Sequence, residues 1–151
     1  MGRKLHRSVT IFAAVLLVAI FFCPIHSARA ETAAENRQVK DKWALVVGIS
    51  KFQDARINLK YPARDAEDFY NYLVTDGKFT KDHVILLTND QATRSNILSV
   101  IGDKWLPRVA NPDDIVVIFI STHGSPADVD VGGVNYLIAY DTSIDELYAT
   151  G

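Results

Sequence analysis

The hydrophobic residues of this chain gather in short continuous runs, and polar segments with helical periodicity lie between the runs. Three runs, at 43–50, 83–87 and 115–120, have the length of strands, and a fourth short apolar run lies at 136–140. Continuous runs of this kind are typical of strands that are buried on both faces of a sheet. The pattern therefore predicts buried strands separated by helices.

The segment 61–77 has the period of an amphipathic helix. Pro62 suits the first turn of a helix, and Asp76-Gly77 is a typical stop. The inward face is predicted to consist of the apolar residues at positions i, i+3, i+4 and i+7, which are Ala66, Phe69, Tyr70 and Leu73.

A second helix is predicted to begin at the cap residue Thr93 and to end at Pro107. Its apolar residues lie one turn apart, at Ile97, Ile101 and Trp105. Apolar strands that alternate with helices predict an α/β fold in which a mainly parallel sheet is covered on both faces.

The candidate functional residues follow from this topology, because working residues in parallel sheets gather beyond the carboxyl ends of the strands. Ser50 follows the first strand, and His123 follows the third. Imidazole is the side chain best suited to proton transfer near neutral pH, and the bare backbone of Gly124 permits close approach of a substrate carbonyl. A purely structural loop histidine is the alternative.

The first 30 residues have the three parts of an export signal. Basic residues come first, an apolar run covers 9–23, and the small residues Ala28 and Ala30 occupy the positions that a signal peptidase reads. The apolar run is shorter than the ~20 residues that a membrane-spanning helix needs. We expect 1–30 to be a signal peptide that is cut after Ala30. An uncleaved anchor is the alternative, and both place the folded part outside the cytoplasm.

The remainder of the chain is expected to comprise a polar linker at 31–42 and one domain at 43–151. The 151 residues are 48% apolar and 23% charged, which is ordinary globular composition. The net charge of −2, with no basic stripe, gives no basis for nucleic-acid binding. Any membrane contact is expected only through the signal segment.

Cysteine usage restricts the available chemistry. The single cysteine of the chain, Cys23, lies inside the signal segment. The expected mature protein therefore has neither a disulfide nor a thiol nucleophile.

The segment DDIVVIFISTHG, which contains His123, resembles the strand-histidine-glycine segment of the caspase-like cysteine peptidases, including metacaspases and their bacterial relatives. The order of the other elements is similar as well, over residues 43–150. The matching segments are WALVVGIS for the first strand, LKYPARDAEDFYNYL with Asp65-Ala66 for the helix after it, ATRSNILSVI for the next helix, and YLIAYDTS for the segment after the histidine. The resemblance implies a three-layer α/β/α sandwich that is incomplete at its C-terminus.

The resemblance also implies roles for two residues and a polypeptide substrate. His123 would be the general base that activates a thiol, and the backbone amide of Gly124 would be an oxyanion-hole donor. In these families the nucleophilic cysteine follows another strand, about 50 residues after the histidine. That point lies beyond Gly151, so we expect this chain alone to be inactive. No cofactor is implied, and the oligomeric state is left open.

Two departures from the family pattern bear on specificity and metal binding. Aspartate-specific caspases carry an arginine before the helix with the Asp-Ala pair, and the nearest residues here are Leu59 and Lys60, so aspartate specificity is not supported. The acidic residues Asp128, Asp130 and Asp141 are expected to be solvated rather than to bind calcium.

Two other functions stay open at this point. One is a non-catalytic interaction domain with the same fold. The other is a small-molecule hydrolase of flavodoxin-like architecture that uses Ser50, Ser121 or Ser125, although the chain contains no G-x-S-x-G motif. Ser121 and Thr122 are expected instead to tie down the loop around His123 through hydrogen bonds.

Overall fold

The computed structural model describes residues 38–125 and 134–151. Its strands are β1 (Lys42–Gly48), β2 (Val84–Thr88) and β3 (Ile115–Ser121). Its helices are α1 (Pro62–Thr75), α2 (Arg94–Ser99), α3 (Leu106–Val109) and α4 (Leu147–Thr150), and a π-helical segment (Val100–Lys104) continues α2. Short 3-10 turns lie at Ala55–Ile57, Lys81–His83, Asn89–Gln91 and Ile144–Glu146.

The strands form one parallel sheet in the order β2-β1-β3. The central strand β1 begins at Lys42, one residue before the expected domain boundary, and six of its seven residues are buried. Burial of this kind is what a continuous apolar run in a parallel sheet requires. The predicted α/β fold with a parallel sheet is confirmed.

Helices cover both faces of β1. Successive side chains of a strand point to opposite sides, so neighbouring residues of β1 pack against different helices. Ala44 and Val46 pack in the cluster that includes α1. Leu45 and Val47 pack on the opposite side, against apolar residues of α2 and its π-helical extension, namely Ile97, Val100 and Ile101. The described part of the domain therefore has the expected three layers.

The predicted helix at 61–77 is confirmed as α1. Pro62 is its first residue, and it ends at Thr75, directly before Asp76-Gly77. Ala66 and Leu73 are buried against the sheet, and Phe69 and Tyr70 pack beside them half-buried.

The third strand is less buried than its apolar sequence predicts. Val116 is 41% exposed and Ile118 is 48% exposed. β3 lies at the edge of the sheet, since among the described residues β1 is the strand that pairs with it. An exposed apolar edge strand favours pairing with a further strand.

The prediction that Pro107 ends the second helix is wrong. Thr93 does cap α2, where its hydroxyl accepts from the backbone N–H of Asn96 at 3.2 Å. The helical path then breaks at Trp105, and Pro107 is the second residue of the new helix α3. A proline fits there because its missing N–H has no partner in the first turn of a helix.

The apolar run at 136–140 forms no regular strand. It makes an isolated antiparallel bridge between Gly124 and Leu137, and Ile138 and Ala139 are buried. Its backbone is fixed instead by contacts with neighbouring loops, including a hydrogen bond from Tyr140 N to the carbonyl of Ala92. The run is therefore apolar because it packs among the loops at the carboxyl edge of the sheet, and not because it forms a strand.

The expected signal peptide at 1–30 and most of the expected linker lie outside the described residues. Within the described ranges, none of the helices has the length and hydrophobicity that crossing a membrane requires.

Substitution of Gly48 by alanine is predicted to destabilise the domain. A Cβ at this position would collide with the carbonyl oxygen of Pro62 and lie 2.5 Å from Cβ of Ala66. We expect the free energy of unfolding in urea to fall by about 1 to 3 kcal/mol. Gly102→Ala is the matched control, because a Cβ there meets no atom within 4 Å. Equal stability of the two variants would contradict the close approach of α1 to β1.

Candidate active site

His123 lies two residues beyond the end of β3 and is held by the segment that follows the loop. Thr122 Oγ1 donates to the carbonyl of Ile138 at 2.6 Å, and Ile138 N donates to the carbonyl of His123 at 2.9 Å. The side chain of Thr122 thus ties down the backbone around the histidine, as predicted. Ser121 takes part through its carbonyl, which accepts from Ile49 N at 3.0 Å.

The half-buried imidazole of His123 has two contacts that fix its orientation. Its Nε2 lies 2.9 Å from the carbonyl oxygen of Ile57, and its ring centroid lies 5.5 Å from that of Phe52, with a 40° angle between the planes. A carbonyl oxygen only accepts hydrogen bonds, so Nε2 carries the proton in this contact. Nδ1 is then the unprotonated nitrogen of the neutral ring, which is the form that a general base requires.

The carbonyl of Ile57 is presented by the 3-10 turn Ala55–Ile57. Asp54 caps this turn, since its carboxylate accepts from Arg56 N at 3.0 Å. The Arg56 guanidinium also donates to both carboxylate oxygens of Asp54. Asn58 closes the turn on its other side, where its Oδ1 accepts from Phe52 N at 2.8 Å.

Gly124 forms the bridge with Leu137, and the backbone hydrogen bonds lie on either side of this pair. Ser125 N donates to Tyr136 O, and Ile138 N donates to His123 O, each at 2.9 Å. In an antiparallel pair of this type the N–H groups of the two facing residues point away from each other. The amide of Gly124 is therefore directed away from the 136–138 segment.

The other residues singled out in the sequence have structural contacts. Ser50 is buried, and its hydroxyl accepts from Ala63 N at 2.9 Å, in the first turn of α1. Ser125 Oγ accepts from Tyr136 N at 2.8 Å, and Asp141 accepts from Arg94 N at 2.8 Å at the start of α2. Leu59 packs against the apolar cluster on one face of β1.

The described part of the chain contains no group of three or more His, Cys, Asp or Glu side chains that could hold a metal ion. Asp128 and Asp130 lie outside the described residues, so the expectation that they are solvated stays a prediction.

Sequence reasoning missed the two residues that contact the imidazole, Phe52 and Ile57, and also Asn58, which bonds to Phe52 N. Ile57 contributes a backbone carbonyl, which every residue type carries, so no sequence pattern could have revealed it. Phe52 and Asn58 lie in a short stretch between β1 and α1, where the turn-forming residues Asp54 and Asn58 were the local signals.

Comparison with known proteins gives a family and several relatives. A family profile described as the caspase domain matches residues 41–149. Metacaspase-1 of Saccharomyces cerevisiae is 28% identical over 91 residues, which cover 56% of this chain and 20% of that protein. Metacaspase-1 of Meyerozyma guilliermondii is 32% identical over 89 residues, which cover 55% of this chain and 21% of that protein. Metacaspase-1B of Neurospora crassa is 31% identical over 87 residues, which cover 54% and 20%.

The chain thus spans about a fifth of the length of these curated relatives.

The turn that presents Ile57 is predicted to weaken in acid. Hydrogen bonds from the Arg56 side chain, and secondarily from its backbone N–H, hold the pKa of Asp54 below its usual value. A carboxyl whose pKa is lower in the folded state adds stability above its unfolded pKa of about 3.9. That stability is lost as the pH falls through the folded value.

Urea unfolding between pH 6 and acid values of about 2 to 3 checks this expectation. Asp54→Asn removes the titrating group, so its stability should fall less steeply below about pH 4 than that of the unsubstituted chain. Arg56→Gln should show an intermediate dependence because it keeps the carboxyl and loses the guanidinium. Identical pH profiles for all three proteins would contradict the assignment.

Proposed function

Because this chain belongs to the caspase domain family, we propose that it forms the histidine-bearing part of a cysteine peptidase. The observation that carries the proposal is the contact between Nε2 of His123 and the carbonyl of Ile57 at 2.9 Å. This contact leaves Nδ1 as the basic nitrogen, at the carboxyl edge of a parallel sheet where catalytic groups gather.

In the proposed reaction, Nδ1 of His123 accepts the proton of a cysteine thiol, and the thiolate sulfur forms a bond to the carbonyl carbon of the substrate. The carbonyl electron pair moves to the oxygen, and the amide N–H of Gly124 stabilises the resulting oxyanion. The C–N bond then breaks as the imidazolium returns the proton to the leaving amine. Water hydrolyses the thioester, again with His123 as base.

The thiol is proposed to come from a part of the protein beyond Gly151. Cys23 is the only cysteine of the 151 residues and precedes the domain. Two features support a further strand that carries the nucleophile: the match covers only about a fifth of the curated relatives, and the edge strand β3 has exposed apolar side chains at Val116 and Ile118. A strand added beside β3 would end near His123, because neighbouring parallel strands end at the same edge of a sheet.

His123→Ala is predicted to lower peptide hydrolysis by the full-length protein about 100- to 10,000-fold, which is the usual contribution of a general acid-base group. The matched control is His83→Ala, since His83 contacts Asp41 and stacks on Trp43 at the start of β1. The measurement is kcat/KM on a library of fluorogenic peptides, with and without a thiol alkylator.

Two outcomes would contradict the peptidase proposal. One is a full-length sequence in which a strand follows the histidine segment without a cysteine at its end, which would favour a non-catalytic interaction domain. The other is alkylator-sensitive hydrolysis by the 151-residue chain after removal of residues 1–30, since that protein contains no thiol.

Export of the protein is also proposed. The support is the order of basic residues, apolar run and small residues within 1–30. In a bacterial host with a general export pathway, the N-terminal residue of the processed protein should be Glu31. Ala28→Asp should block cleavage, and Arg29→Lys, between the two recognised positions, should leave it intact. An unprocessed N-terminus in the unsubstituted protein would contradict signal cleavage.

A further inference from the structure

Both contacts of the His123 imidazole come from one short loop. The loop runs from Phe52, whose ring packs on the imidazole, to Ile57, whose carbonyl accepts from Nε2. Phe52 is only 5% exposed and packs within the apolar cluster of β1, and the partly buried side chain of Ile57 packs against the same cluster. Packing thus holds both side chains, whereas the direction of the Ile57 carbonyl needs a further restraint on the backbone.

Asn58 supplies that restraint by joining the two ends of the loop. Its Oδ1 accepts from the backbone N–H of Phe52 at 2.8 Å across six positions of the chain. Asn58 directly follows Ile57 in the chain, so fixing its side chain also fixes the peptide unit that contains the Ile57 carbonyl. The backbone N–H of Asn58 bonds to the carbonyl of Ala55 at 3.4 Å, which is a weaker contact.

We propose that Asn58 is a positioning residue for the general base, and this inference rests on the proposed cysteine peptidase function. Asn58 acts indirectly, by holding the Ile57 carbonyl in the position where it accepts the hydrogen bond from Nε2 of His123. Loss of this hold lets the imidazole rotate or change tautomer, so that Nδ1 no longer faces the thiol. Misplacement of a catalytic group by about 1 Å is enough to lower a rate about 100-fold.

A purely structural role for Asn58 makes a different prediction. Asn58 is exposed, and its loss then would lower stability while leaving the imidazole of the folded molecules in place. A positioning role instead changes the folded enzyme, so kcat falls and KM stays nearly constant. The two roles are separated by measuring the folded protein at a temperature well below its unfolding transition.

The first experiment measures kcat and KM of the full-length protein and its variants. Asn58→Ala should lower kcat about 10- to 100-fold, with KM changed less than about twofold. Asn58→Asp keeps an acceptor oxygen at the same distance along the side chain and should restore most of kcat. Asn96→Ala is the matched control, because Asn96 is exposed and its Nδ2 donates to a backbone carbonyl, that of Gln91, at 2.9 Å.

The second experiment needs no activity. In the 151-residue chain labelled with ¹⁵N-histidine, exchange of the Nε2 proton of His123 with water reports its hydrogen bond to Ile57. Asn58→Ala should raise the exchange rate at least about tenfold, the factor for a hydrogen bond weakened by about 1.4 kcal/mol. Asn58→Asp and Asn96→Ala should leave the rate unchanged. If Asn58→Ala does not fold, Asn58→Leu replaces it, since leucine keeps the side-chain size and lacks the acceptor.

An unchanged exchange rate in the folded Asn58→Ala or Asn58→Leu protein would overturn the positioning role, whether or not the full-length protein hydrolyses peptides. Faster exchange in Asn58→Ala, together with a full-length protein that does not hydrolyse peptides, would instead support the hold of Asn58 on the imidazole and refute the peptidase proposal. An active full-length enzyme whose kcat is insensitive to Asn58→Ala would likewise overturn the positioning role and leave the peptidase proposal intact.

Discussion

The hydrogen bond from Nε2 of His123 to the carbonyl of Ile57 is the interaction on which the site depends. It joins residues 66 positions apart, one after the central strand and one after its neighbour. The bond is possible because β1 and β3 are adjacent and parallel, with Gly48 opposite Ser121 at their carboxyl ends. A polar contact in this half-buried position also gives the imidazole a defined tautomer, which a solvent-exposed histidine would lack.

A different set of contacts stabilises the opposite end of the sheet and helps to hold β1 in place beneath the site. The indole of Trp43 donates to Asp114 at 3.0 Å and stacks on His83 with 3.8 Å between ring centroids. Hydrogen bonds from the backbone of Asn111 and from Trp43 hold the pKa of Asp114 below its usual value. The amino ends of all three strands are thereby tied together, while the carboxyl ends carry the loops that hold His123.

The parts of the structure that could be predicted from sequence are those governed by strong periodic patterns. The strands and α1 were predictable because burial on two faces, or on one helical face, leaves a clear spacing of apolar residues. Pro107 was misread because proline suits the start of a helix as well as its end, and the break at Trp105 has no signal of its own. The exposure of β3 was equally hidden, since an apolar run does not reveal whether its neighbour is present.

The residues of the site also differ in whether the sequence could predict them. His123 and Gly124 could be selected as candidates by their position after a buried strand and by family resemblance, and their roles stay predictions. The Ile57 carbonyl could not be selected, because backbone acceptors have no sequence signature. Asn58 could not be selected either, because its partner, the backbone N–H of Phe52, is defined only once the loop is folded.

In the proposed site, the Ile57 carbonyl holds Nε2 of His123 and leaves Nδ1 to act on a thiol. A crystal structure of the full-length protein with the proposed cysteine tests this arrangement most directly. We expect the cysteine sulfur about 3 to 4 Å from Nδ1 of His123, with the bond from Nε2 to Ile57 preserved. A sulfur placed nearest to Nε2, or an Ile57 carbonyl turned away from the imidazole, would contradict it.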